Sequence, residues 1–475
     1  MDHSKKLGTD PIFRLLLRYS IPAVIGMIVQ VLYTLVDAIF IGHFVGENGL
    51  AAVTLVFPIS VFSTGFGLLV GVGSCSCIAL LLGQRRLEEA EKTLGNALVM
   101  LLWLGVCTAV AILPLGYLYI MHSDTSADIQ AMAWTFLFIT ILFSVLPGVT
   151  FGLNNIIRVQ GNPHIAMWTL LIGAILNTLL NPLFVGLFRW GVAGSAWATV
   201  LSQAVAAVWV LFFFNSRRSL LKLRRSCFRL QWSICKPILL IGLAPFLTQI
   251  AASIQGMILM GQLAFYGNES ALAVWGVIYR SALVVFMVVL GIYQGSQPII
   301  GYNYGARQFD RVRQVLNQAI GVATVWCMAV LVLVLLFPMQ LVALFTPLTP
   351  TLQQISPSAV RWSLGMMGLM GFQVISSHYF QAVGKPKLSI FLSLTRQVIF
   401  LIPAIIFLPR LLIHYGQPGI MGVWMSFALA DFTSFLLTFY FYCREIQALR
   451  SGHVDVSLLN NEPILSESEC LPPPC

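Results

Sequence analysis

Residues 21–44 read IPAVIGMIVQVLYTLVDAIFIGHF, a run with one formal charge, at Asp37. Wound as an α-helix at about 1.5 Å per residue, it is about 36 Å long. The hydrocarbon core of a bilayer is about 30 Å thick, so the run is long enough to cross it. Eleven further apolar stretches follow between charge clusters and Gly/Pro breaks. With the first, they predict spans near 20–44, 52–82, 93–121, 129–153, 164–188, 191–215, 237–264, 271–302, 315–345, 358–383, 388–408 and 419–443. The whole chain of 475 residues is 58% hydrophobic and only 9% charged. Soluble domains carry about 25% charged residues, so a soluble multi-domain enzyme, a disordered scaffold and a secreted disulfide module are excluded. The expected fold is an all-α integral membrane protein, with the bilayer itself as its largest partner.

The net charge of +10 must lie outside the bilayer, where it reports topology and gives no reason to expect a nucleic-acid partner. Placing the N-terminus, the even-to-odd loops and the C-terminus on one side gathers 22 of the 27 basic residues there, Arg158 among them. The opposite loops hold Arg189 and Arg410, and Arg280, Arg361 and Arg396 fall in or at the edge of spans. The imbalance puts both termini in the cytoplasm and the protein in the inner (plasma) membrane. The first apolar run is too long for a cleavable signal and carries Asp37. No cysteine falls in an outer loop, so no disulfide framework is expected.

The sequence also repeats itself. Gly46–Val53 resembles Gly267–Val274, and Gly73-Ser74 with Gly83 resembles Gly295-Ser296 with Gly305. Gly161-Asn162-Pro163 resembles Gly384-Lys385-Pro386, and Gly191–Gly194 resembles Gly419–Gly422. Each copy holds six spans, an even number, so both enter the membrane in the same sense. Twelve helices in two pseudo-symmetric six-helix lobes follow, a plan suited to a transporter with a cavity between halves. The expected division is a cytoplasmic N-terminus (1–19), an N-terminal lobe (20–215), a basic linker (216–236), a C-terminal lobe (237–443) and a polar cytoplasmic tail (444–475).

Two acidic residues lie well inside spans, Asp37 and Asp431. A carboxylate at bilayer depth costs about 2.5–3.5 kcal/mol on insertion scales, so it faces a cavity or a partner. Gln30, Tyr33, Thr34 and Asp37 recur at i, i+3, i+4 and i+7 on one helical face. Pro22, fifteen residues before Asp37, leaves a carbonyl unpaired and can bend the helix. The fifth span presents Asn177 and Asn181; the sixth presents Ser195, Thr199, Ser202 and Gln203. Together these stripes can build a pocket for a proton or small cation, or they can serve as interhelical hydrogen-bond glue. Asp431 can pair with Arg396 or Arg280, or it can take part in coupling. Uncharged Gln255 and Gln262 in the seventh span, and Tyr293, Gln294 and Gln297 in the eighth, are candidates for a substrate cavity.

Several of these features resemble the multidrug and toxic compound extrusion (MATE) family over about residues 10–445. They are Tyr33-x-x-x-Asp37 before Gly42, Gln294-Gly295-x-Gln297-Pro298 with Gly301-Tyr302-Asn303-Tyr304-Gly305-Ala306, and the Gly161/Pro163 and Gly384/Pro386 pairs. The resemblance implies cation-coupled export of organic cations and drugs by alternating access. It implies that Asp37 is the coupling carboxylate, Pro22 the helix-bending proline, and Asn177 and Thr199 its neighbours. Many relatives with this lobe site carry an aspartate where this chain has Asn181. A single carboxylate neutralises a bound metal cation poorly, which favours a proton over sodium as the coupling ion. The reading is a monomeric secondary exporter that needs no cofactor beyond that ion and no structural metal. The alternative is a flippase for a lipid-linked saccharide, whose pyrophosphate calls for a basic cavity. An enzyme is not expected, since His-Glu-x-x-His, the phosphate-binding loop and the nucleophile elbow are all missing from the sequence.

Overall fold

The computed structural model describes residues 6–267, 269–343 and 350–451, and every regular element among them is helical. The tail beyond 451 and the last residues expected in the ninth span lie outside the described residues. The first half comprises α1 (Ile12–Phe44), α2 (Glu47–Gly83), α3 (Leu87–Met121), α4 (Ala127–Leu142 and Val145–Val159), α5 (Pro163–Asn181, continued by a wide turn over Pro182–Leu187) and α6 (Gly191–Asn215). The second half comprises α7 (Trp232–Tyr266), α8 (Glu269–Gly305), α9 (Phe309–Leu336), α10 (Pro350–Leu364 and Met367–Ala382), α11 (Pro386–Leu394, Thr395–Leu401 and Ile402–His414) and α12 (Gly419–Ser451).

Ten of these spans are long and apolar enough to cross a membrane, and bent α4, with 49° between its parts, makes an eleventh. The broken α10 stands where the tenth span is expected, although it is not among these eleven apolar spans. The single helices expected over 129–153 and 358–383 are therefore both pairs. The α10 break falls at Gly365-Met366, and the first part of α10 carries Gln353, Gln354, Ser356, Ser358 and Arg361. Its polarity is why hydropathy alone places the span poorly. Other helices overrun their expected limits. Helix α1 begins at Ile12 and α12 continues to Ser451, because apolar length marks bilayer depth while backbone hydrogen bonding carries the helix on into the polar zone.

The duplication is visible in backbone detail. Arg85 and Arg307, after α2 and α8, both take a left-handed conformation, with φ of 64° and 57°. Gly161 and Gly384 do so at 92° and 75°, each two residues before the proline that starts the next helix. Glycine accepts that φ without strain, and proline at a helix's first position gives up only an N–H that has no helical partner. The linker between halves is fastened to the first half. The Gln160 side-chain oxygen accepts from the backbone N–H groups of Leu220 and Leu221 at 2.9 and 3.1 Å, and Glu91 accepts from that of Lys222 at 3.0 Å.

The halves meet along two equivalent seams, α2 on α7 and α8 on α1, with α2 crossing α8 between them. At Gly242 a Cβ atom would lie 1.7 Å from the Leu69 carbonyl oxygen, so only glycine permits this approach of α7 to α2. Gly83 and Gly305 bring α2 and α8 equally close, each backing onto a carbonyl of the other helix. On the α8–α1 seam Ser20 donates to the Ile292 carbonyl at 3.5 Å. All these contacts lie in the parts of the helices nearest the chain ends. Toward the far side a Cβ at Gly256 or Gly261 would meet nothing within 4 Å. A knot of Phe62, Phe66 and Phe246, with centroids 5.0–6.0 Å apart, marks where the α2–α7 contact gives out. The halves are thus sealed on the side of the termini and parted on the opposite side.

Candidate functional site

Asp37 lies two turns from the far end of α1 and is half-buried. The hydroxyl of Ser195 on α6 donates to its Oδ1 at 2.5 Å. Asn181 on α5 stands beside the same carboxyl. Behind it the network continues: the Asn181 amide donates to Asn177 Oδ1 at 2.9 Å, and Asn177 donates to Thr199 Oγ1 at 3.2 Å. The Tyr33 hydroxyl, one turn before Asp37, reaches the same Thr199 oxygen at 3.4 Å. Asn177, Asn181 and Ser195 are fully buried.

Three helices of one half therefore converge on one carboxylate, for a simple sequence reason. Tyr33/Asp37, Asn177/Asn181 and Ser195/Thr199 are each i, i+4 pairs, so each helix turns one two-residue polar edge inward. Among the described residues no Lys or Arg forms a salt bridge with Asp37, and no group of three or more His, Cys, Asp or Glu side chains could hold a metal ion. The Asn181 Oδ1 atom is buried without a donor. The constellation thus offers acceptor oxygens to a donor that the protein does not supply.

The remaining candidates fall elsewhere. Gln30 lines a small neighbouring cleft with Tyr33, Thr150, Thr169, Gly173 and Gln203. Thr34, on the same sequence stripe, is exposed and bonds back to the Gln30 carbonyl of its own helix at 3.2 Å. Pro22 is buried within a single uninterrupted helix, Ile12–Phe44. Gln255 and Gln262 are half-buried on α7, and the Gln262 side-chain oxygen has no donor. Tyr293 and Gln297 are buried, bonded at 3.0 Å to Gln381 and to Ser76 respectively. Gln294 bonds Arg158 and faces the Met27 sulfur at 3.6 Å. These three α8 side chains are engaged in packing between helices and do not share one open wall.

Asp431 pairs with Arg396 at 2.5 Å, the carboxylate 8% and the guanidinium 31% exposed. Arg280 and Arg361 are exposed. On the α6 stripe it is Ser195, one turn before Thr199, that bonds Asp37 directly. Arg158, counted with the loop cations, is buried inside the protein at 4% exposure. It sits one residue from the end of α4, where a charge reads as a loop residue.

The chain as a whole is similar to known proteins. The sequence profile of the family described as MatE matches residues 22–183 and again 245–406, two copies in the register of the internal repeat. The chain is 26% identical over 432 residues to "Multidrug export protein MepA" of Staphylococcus aureus (strain N315), covering 89% of this chain and 91% of that protein. It is 25% identical over 436 residues to the protein of the same name from Staphylococcus haemolyticus (strain JCSC1435), covering 91% and 93%. Among solved structures it is similar to one described as the "Outward-facing conformation of a multidrug resistance MATE family transporter of the MOP superfamily", with a TM-score of 0.87 and 27% identity over 95% of this chain and 99% of that one.

Proposed function

Because the chain belongs to the MatE family of membrane transporters, we propose that it exports drugs, chiefly small organic cations, in exchange for protons. The observation that carries this reading is the Asp37 constellation: one carboxylate among neutral partners, with an unfilled acceptor beside it. On the sidedness set by the basic residues, the termini are cytoplasmic, the membrane is the plasma membrane and the parted side faces out.

Unit charges about 4 Å apart at an effective dielectric near 20 attract by about 4 kcal/mol, enough to hold a cationic drug against Asp37. A proton on Asp37 removes that attraction, while the Asn181 amide and the Ser195 hydroxyl beside it favour the charged form. Drug and proton therefore exclude one another at one site. Exchange across the membrane follows if the seam contacts open on one side only while either load is bound. No nucleotide or organic cofactor is needed, since the proton gradient supplies the work. Sodium fits less well, because a hard cation in this pocket meets several neutral oxygens but one charge. A flippase for a pyrophosphate-linked saccharide gains nothing from Arg396, which is paired with Asp431.

Vesicles holding the purified protein and a fluorescent organic cation test this directly. An imposed pH gradient is expected to drive cation movement at least tenfold faster than no gradient, and an imposed sodium gradient is expected to leave it at the basal rate. Drive by sodium alone would replace the proton in the scheme, and drive by neither would end it.

A further inference from the structure

Arg158 has no role in the exchange just described, yet it is a buried cation at the sealed seam. It is 4% exposed, and its Nη1 donates across the seam to the side-chain oxygen of Gln294 on α8. With the Asn154 amide turned to satisfy both its ends, Asn154 accepts from Nη2 at 3.2 Å and donates to the Ala166 carbonyl at 3.0 Å. Gln294 is held on its other side by Met27 of the first half. Among the described residues no carboxylate lies within ion-pair distance of this guanidinium. Its titratable neighbour is the thiol of Cys75.

A buried cation without a counter-charge costs several kcal/mol, and a neutral donor of similar size could bond Gln294 without that penalty. The bond by itself therefore does not account for the charge. Its surroundings do. The sealed seam is polar inside: Ser20 bonds the Ile292 carbonyl and Gln297 bonds Ser76, with the Tyr293–Gln381 pair of the second half behind them. Buried hydroxyl and amide groups of this kind can relay protons or stabilise a small cation in passage. A fixed positive charge among them repels both, as charged side chains do in selective pores.

We propose that Arg158 is the electrostatic barrier that stops protons and small cations from leaking through the closed seam between the halves. At about 10 Å and an effective dielectric near 20, one charge suppresses passage of a cation roughly tenfold. The experiment is drug-free, so it stands apart from the role given to Asp37: full-length protein in vesicles, an imposed pH gradient, and the rate of its passive collapse. Arg158→Gln is expected to leak about tenfold faster than the unaltered protein. Arg158→Lys, which loses the forked geometry but keeps the charge, is expected to stay tight. Gln294→Ala, which breaks the bond across the seam but keeps the charge, is also expected to stay tight and decides the matter if Arg158→Gln does not assemble. Tight Arg158→Gln vesicles would overturn the proposal. So would equal leakage from the Gln and Lys variants, or leakage from Gln294→Ala, since each would show that packing and not charge makes the seal.

Discussion

Asp37→Asn is expected to abolish efflux while leaving the protein at normal abundance. Asparagine keeps the size of the side chain and an oxygen to accept from Ser195, so the packing of α1 against α5 and α6 has no reason to change. What disappears is the charge. Losing about 4 kcal/mol of attraction lowers affinity for a cationic drug by roughly three orders of magnitude. The site also loses its carboxyl proton, and Asp431, the other carboxylate deep in a span, is held by Arg396 in the second half. Drug efflux from cells, measured beside the amount of protein in the membrane, checks this. Normal efflux by the variant would take Asp37 out of the mechanism.

Gly242→Val should be almost as damaging for a different reason. A Cβ there would sit 1.7 Å from the Leu69 carbonyl oxygen, a backbone atom that cannot swing aside. Overpacking of this kind costs about 1–3 kcal/mol, and the cost falls only on the conformation in which α2 and α7 are sealed. The conformational equilibrium should move toward the state open on the side of the termini, with efflux reduced tenfold or more. Gly256→Val, fourteen residues along the same helix, provides the comparison: its Cβ meets nothing within 4 Å, so the state sealed at α2 and α7 carries no such cost. Equal rates for the two variants would mean that the α2–α7 seam does not open and close.

The parts of this structure that were legible in the sequence are those written as periodicity and punctuation. Apolar length gives the crossings, and Gly161/Pro163 with Gly384/Pro386 gives the repeat, because a left-handed turn followed by a helix-starting proline needs those residue types. The i, i+4 polar pairs of α1, α5 and α6 are equally local, and the helices carrying them pack against one another, so Tyr33, Asp37, Asn177, Asn181 and Thr199 share one network. What the sequence hides is which partner covers a polar face. Tyr293, Gln294 and Gln297 read as cavity lining because a polar stripe looks the same against water as against another helix. In the structure α10, α4 and α2 occupy those bonds. Arg158 is hidden for a related reason. One residue from a helix end its charge suits a loop, and only the position of α8 shows that it points inward.

The central claim is that a proton and a cationic drug compete for one carboxylate, and proton release on binding tests it most directly. Purified protein in weakly buffered detergent solution, held where Asp37 is protonated, is titrated with an organic cation while pH is recorded. The account predicts close to one proton released per drug bound, and neither release nor tight binding by Asp37→Asn. Tight binding by the unaltered protein with no change in pH would contradict it, because the two loads would then occupy different places.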